Sequence, residues 1–131
     1  MNVLLVEDHA ATREQVKHLL SQEPDLVIVG QVGTAEEAID AAKRLSPDVV
    51  IMDIVLPGIN GIEATRQILA NCPTTRVIAL SNHSGLALVQ AILVAGGRGY
   101  VRKNRAFEEL IPAIRAVLDG KRYIGENANR L

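Results

Sequence analysis

Apolar residues along this chain follow two alternating patterns. Short runs rich in Val, Ile and Leu lie at residues 3–6, 26–29, 49–52, 76–80 and 99–101. They are too short for helices and read as strands buried on both faces of a parallel sheet. Between them, residues 10–20 space Val16, Leu19 and Leu20 among polar neighbours, the signature of an amphipathic helix. Thr34 with Glu37 forms a capping box opening a second helix, which runs through Ile39, Ala42 and Leu45 to Pro47. Helical spacing returns at residues 62–69, 87–95 and 107–118, the last with Gly120 as its C-terminal cap. Gly30 closes the second strand, and Pro57-Gly58 marks a tight turn after the third. Asn60 and Glu63 then open the third helix.

Five strands alternating with five helices across short loops predict an α/β fold, a doubly wound parallel sheet built of right-handed crossovers. The expected organisation is one domain over residues 1–120. Residues 121–131 are a trailing segment or the start of a linker, with no effector domain present.

Composition narrows the function classes. At 131 residues and 48% hydrophobic content the chain holds one real core and is not disordered. A formal net charge of −1 gives no general attraction to nucleic acid, and 2% aromatics give little for bases to stack on. The single cysteine, Cys72, excludes an internal disulfide or a cysteine zinc cluster. No apolar run approaches the ~20 residues that cross a bilayer, and the expectation is a cytoplasmic domain.

Chemistry gathers at the predicted strand ends. The first strand runs into Glu7 and Asp8, the third into Asp53, the fourth into Ser81, and the fifth into Arg102 and Lys103. With strand order 2-1-3-4-5 these groups share one edge of the sheet, where open α/β sheets bind ligands. Two carboxylates ~4 Å apart repel by about 4 kcal/mol at an effective dielectric near 20. Lys103 is one cation against three anions, so a hard divalent cation is called for. Glu7-Asp8-His9 stands where a nucleotide site would place a glycine-rich phosphate loop, and its charge repels free phosphate. A metal, a lysine and a hydroxyl around a lone carboxylate can instead stabilise attack of that carboxylate on phosphorus.

In this order, on these strand ends, the residues Leu5-Val6-Glu7-Asp8-His9, Val50-Ile51-Met52-Asp53-Ile54, Leu56-Pro57-Gly58, Asn60-Gly61, Ser81 and Gly99-Tyr100-Val101-Arg102-Lys103 resemble the receiver domain of bacterial two-component response regulators. The resemblance covers nearly the whole chain. The wording of Glu7-Asp8-His9, the 96–100 corner and Gly120-Lys121-Arg122-Tyr123-Ile124 is most similar to receivers that precede a LuxR-type helix-turn-helix. It implies a flavodoxin-like fold with Asp53 as phosphoacceptor from a histidine kinase. It further implies Mg2+ held by Asp8, Asp53 and the Val55 carbonyl, with Glu7 assisting through water. Ser81, Tyr100 and Lys103 match the switch hydroxyl, the rotating aromatic and the phosphate-binding lysine. Such a domain is no enzyme beyond slow self-catalysed phosphotransfer and autodephosphorylation, and binds no DNA itself; transcription is controlled through an effector domain.

Two positions depart from the family pattern. Asn82 stands where a small residue is usual, and Val55 where Met or a polar residue is. The fourth helix is odd too, with no charge in Gly-Leu-Ala-Leu-Val-Gln-Ala-Ile-Leu-Val-Ala. If Val89, Ile92 and Leu93 face the sheet, then Leu86, Ala87 and Val94 face solvent and are a candidate interface. A homodimer through the fourth helix, fifth strand and fifth helix is one use for it; pairing through the first and fifth helices is the competitor. His9, His18 and His83 read as surface residues. Two other classes fit less well. An aspartate-nucleophile phosphatase wants a second acid two residues after the nucleophile, where Val55 stands. A module that never receives phosphate has no need of the acid set with Ser81 and Lys103.

Overall fold

The computed structural model describes residues 1–126 and 128. Its strands are β1 (Asn2–Val6), β2 (Val27–Val32), β3 (Val49–Asp53), β4 (Arg76–Ser81), β5 (Gly99–Arg102) and β6 (Tyr123–Ile124). The helices α1 (Ala10–Ser21), α2 (Ala35–Leu45), α3 (Gly61–Asn71), α4 (Leu86–Val94) and α5 (Ala106–Leu118) alternate with them. The sheet is parallel throughout, in the order β2-β1-β3-β4-β5-β6. The flavodoxin-like order 2-1-3-4-5 is therefore present, with one short strand added at its far edge.

Alternation along the strands builds two cores. Val3, Leu5, Val49, Ile51, Ile78 and Leu80 point to the face covered by α1 and α5. Leu4, Val6, Val50, Met52 and Val77 point to the opposite face, under α2 and α3. Every residue of β3 is buried, as expected for a central strand with helices on both sides. Ala35, Ala38, Ala41 and Ala42 let α2 lie close against that sheet face. Both predicted N-caps form: Thr34 Oγ1 accepts from Glu37 N at 3.2 Å, and Asn60 Oδ1 accepts from Glu63 N at 2.9 Å.

Three local expectations are revised. Gly30 does not end the second strand, which continues to Val32. A register shift beside Leu4 lets pairing resume at Gly30, with Leu4 and Leu45 packing over it. On α4, Val89 and Ile92 are buried against the sheet, but Leu93 is only half-buried. A sixth strand stands beyond the five expected. Tyr123 pairs with Gly99 and Ile124 with Tyr100, so residues beyond Gly120 close the outer edge of β5. No helix among the described residues is long and apolar enough to cross a membrane.

Candidate functional site: an acid pocket at the strand ends

Registers carry the polar strand ends to neighbouring rungs: Val6 lies beside Met52, Asp53 beside Leu80, and Ser81 beside Arg102. Glu7, Asp8, Asp53, Ser81 and Lys103 therefore meet at one edge, as the pattern of strands predicted. The turn through Pro57 and Gly58 brings α3 back under Asp53. There Gly61 N donates to Ile54 O at 2.8 Å, and a Cβ on Gly61 would stand 2.3 Å from the Asp53 carbonyl oxygen. Only glycine fits this helix start.

Glu7 and Asp53 are 1% and 3% exposed, burial that a charged carboxylate tolerates only with partners. Lys103 supplies one. Its Nζ lies 2.8 Å from Glu7 Oε1 and donates to Asp53 Oδ2 at 3.1 Å. Asp53 Oδ1 accepts from Val55 N at 3.1 Å, while the Val55 side chain points outward. Burial, then the facing Glu7 carboxylate, push Asp53 up to about 6, more than Lys103 draws it down. Burial also acts to raise Glu7, but hydrogen bonds from Lys103, with Asp53 and from the His9 backbone together hold it below its usual value. The lysine keeps its proton: burial works against its charge, and the two carboxylates outweigh that. The pocket thus holds a proton-hungry aspartate beside a firmly ionised glutamate.

Whether a cation fits is answered by the oxygens. Glu7, Asp8, His9 and Asp53 each offer a ligand atom, all within 4.8 Å of one another. Glu7 Oε1 is buried, and Lys103 Nζ, 2.8 Å away, is the cation it faces. A mostly carboxylate donor set, three acids against the one Lys103 cation, suits a hard cation such as Mg2+. About 190 Å³ of open space adjoins it, lined by Val55, Asn82 and His83 as well as His9, Asp53, Ser81 and Lys103. A larger groove, about 550 Å³, lies at the opposite end of the strands beside Arg76, Arg98 and Arg122, and contains none of these residues.

Ser81 and Tyr100 occupy different positions here. Ser81 lines the pocket, and its Oγ accepts from His83 N at 3.0 Å. Tyr100 does not line it; the ring is fully buried and its hydroxyl donates to His83 O at 2.9 Å. Burial pushes its phenol above the ordinary value, with neighbouring Ser81 opposing. Leu86 and Val94 are 51% and 88% exposed, and Ala87 is exposed beside them.

Two contributions escaped the sequence reading. The His9 side chain is largely exposed, yet Nδ1 lies 3.2 Å from Glu7 Oε2 and 3.4 Å from Asp8 Oδ1. Its place directly after Glu7-Asp8 was the available signal. His83 acts through its backbone, joining Ser81 to Tyr100, and no side-chain pattern announces that.

Comparisons with known proteins give the family and the fold. The family model described as the response regulator receiver domain matches residues 3–115. The response regulator GacA of Pseudomonas viridiflava is 39% identical over 124 residues, 95% of this chain and 58% of GacA. The transcriptional regulatory protein DegU of Brevibacillus brevis is 35% identical, over 95% of this chain and 52% of DegU. The chain thus spans about half the length of the curated relatives it matches. Among solved structures, a LuxR-family two-component response regulator from Aurantimonas sp. SI85-9A1 superposes with a TM-score of 0.89 at 37% identity, covering 93% of this chain and 87% of that one. The isolated REC domain of RcsB from Salmonella enterica serovar Typhimurium, with phosphomimetic BeF3-, gives 0.89 at 27% identity, covering 98% and 95%.

Proposed function

Because the chain belongs to the response regulator receiver domain family, we propose that Asp53 is its phosphoacceptor and that a histidine kinase is the physiological donor. The observation that carries this reading is the buried Asp53 carboxylate held by Lys103 at 3.1 Å beside an open pocket. One Asp53 oxygen attacks phosphorus, the bond from phosphorus to the donor breaks, and the donor leaves with that electron pair. Lys103 Nζ, already between Glu7 and Asp53, offsets the charge carried by the phosphoryl oxygens. The Ser81 hydroxyl donates to one of those oxygens. Asp8, Asp53 and the Val55 carbonyl would hold Mg2+, with Glu7 assisting. When bound, the ion neutralises phosphoryl charge as a Lewis acid.

The phosphoryl group biases an existing equilibrium of the loop after β4, which Ser81 and Tyr100 report to the exposed side of α4. Leu86, Ala87 and Val94 on that side are the proposed contact for a second copy of the chain. By analogy with the transcriptional regulatory protein DegU, the output is transcription, exercised by an effector domain in the cytoplasm. Residues 1–120 are the receiver, and Tyr123–Ile124 add a short edge strand to its sheet.

Acetyl phosphate with Mg2+, followed by intact mass, tests the reading. A single hydroxylamine-labile phosphoryl adduct is expected. Turnover of the donor with no adduct would favour a phosphatase, and an inert protein would favour a module that never takes phosphate.

A further inference from the structure

The residues after Gly120 do more than trail. Tyr123 N donates to Arg98 O at 3.0 Å and Gly125 N to Tyr100 O at 2.8 Å, laying the segment along the edge of β5. Ala128 then packs between α4 and the sheet. It is fully buried among Ile54, Ala79, Val89, Ile92 and Tyr100, and its carbonyl accepts from Gly85 N at 2.8 Å. Gly85 is the residue that opens α4, a nine-residue helix with no side-chain cap. The loop before α4 therefore depends on bonds from outside the helix.

Glu109 explains how the segment is seated. Its carboxylate, on α5, is 5% exposed and accepts from Glu126 N at 3.1 and 3.2 Å. Arg105 closes the arrangement, 3.3 Å from Glu109 Oε2 and 3.1 Å from Glu126 Oε2. A buried carboxylate is costly without donors, and this one takes its backbone donor from the tail.

From this strap the contacts run to the acid pocket without a gap. The strap holds Tyr100 by its backbone and Gly85 by its amide. Tyr100 holds His83 O, and His83 N bonds Ser81 Oγ. That bond uses a lone pair of Ser81 Oγ, so the hydroxyl can still act as a donor toward a phosphoryl oxygen. We propose that the docked strap (residues 123–126 with Ala128) sets the β4–α4 loop in its phosphoryl-binding arrangement, with Glu109 as the positioning residue that seats it. The inference rests on Asp53 as phosphoacceptor and adds a coupling. Phosphoryl binding tightens the strap, and freeing the strap weakens phosphoryl binding by the same factor. The strap also covers the β5 edge, so dimerisation by way of α4 proceeds beside it rather than through that edge.

Tyr100 and Tyr123 are the two tyrosines of the chain, so 3-fluorotyrosine labelling gives one fluorine resonance at the loop and one on the strap. Two variants free the strap from outside the pocket. In Gly125→Val the new Cβ would stand 2.2 Å from Glu109 Oε1 and 3.1 Å from Tyr100 O. In Ala128→Glu a charge would enter an apolar cluster. Each protein is titrated with Mg2+ alone and then with beryllium fluoride in saturating Mg2+. Expected in both variants are a shifted Tyr123 resonance, unchanged Mg2+ affinity and beryllium fluoride binding about five- to twentyfold weaker. A shifted Tyr123 with wild-type beryllium fluoride affinity would overturn the proposal. Equal loss of Mg2+ and beryllium fluoride binding would do so too, since that is general damage. So would a Tyr123 resonance unmoved in both variants, because these contacts would then not hold the strap. Failure of the wild type itself to bind beryllium fluoride with Mg2+ would instead remove the phosphoacceptor reading beneath it.

Discussion

Asp53→Asn should make the metal-free protein more stable, although it removes a partner of Lys103. In the folded chain Asp53 is 3% exposed, faces Glu7, and has its proton affinity raised from 3.8 to about 6. A carboxyl whose value is raised on folding contributes stability that is fully present below its ordinary value. That stability is lost as pH rises through the folded one. Here the window runs from about pH 4 to pH 7, and the full span corresponds to about 3 kcal/mol. Asparagine has no charge to repel Glu7 but gives up the 3.1 Å contact with Lys103, leaving a net gain of about 1–2 kcal/mol at pH 7.5. Lys103 stays paired through Glu7 at 2.8 Å, so no buried cation is orphaned. Urea unfolding in EDTA measures this directly. The Asp53→Asn variant should have a midpoint about 0.5–1 M higher at pH 7.5, and the difference should shrink by pH 5, where wild-type Asp53 is largely protonated. A midpoint equal to or below wild type at pH 7.5, or a gain as large at pH 5, would refute the reasoning.

Three further outcomes are expected. Asp8→Ala should lose most Mg2+ affinity in a calorimetric titration, because it removes the exposed carboxylate of the acid group; unchanged affinity would move the metal elsewhere. Asn82→Ala should speed phosphorylation from acetyl phosphate by about two- to tenfold, or up to about 1.4 kcal/mol in barrier, since Asn82 lines the pocket beside Ser81. No change, or a slowdown, would reject that steric account. Leu86→Glu and Val94→Glu should weaken self-association in sedimentation runs with phosphodonor, because both are exposed on α4; wild-type association in both folded variants would exclude this face.

Where the sequence was legible, local rules and tertiary structure agreed. The run from Val49 to Asp53 is buried on both faces as its apolar pattern requires, and Thr34 and Asn60 cap the helices they precede. Asp8, Asp53, Ser81 and Lys103 could be grouped because strand order fixes which ends meet. Features made by the far side of the fold gave no such signal. Tyr123 and Ile124 form too short a strand for any periodicity, and their pairing depends on the free edge of β5. Glu109 looks like an ordinary helix-surface acid until the tail folds over it. Gly30 has the composition of a strand terminator, but a register shift carries the strand through it. Tyr100 stands out only through the family resemblance; its bond to His83 O joins a side chain to a loop carbonyl that no residue pattern marks.

The central claim is that Asp53 accepts the phosphoryl group. Wild type and Asp53→Asn, treated with acetyl phosphate and Mg2+, reduced with borohydride and digested, can be mapped by peptide mass spectrometry. The account predicts one modified peptide in the wild type, with the change at Asp53, and none in the variant. A stoichiometric modification at Asp8, or at any residue of Asp53→Asn, would contradict it.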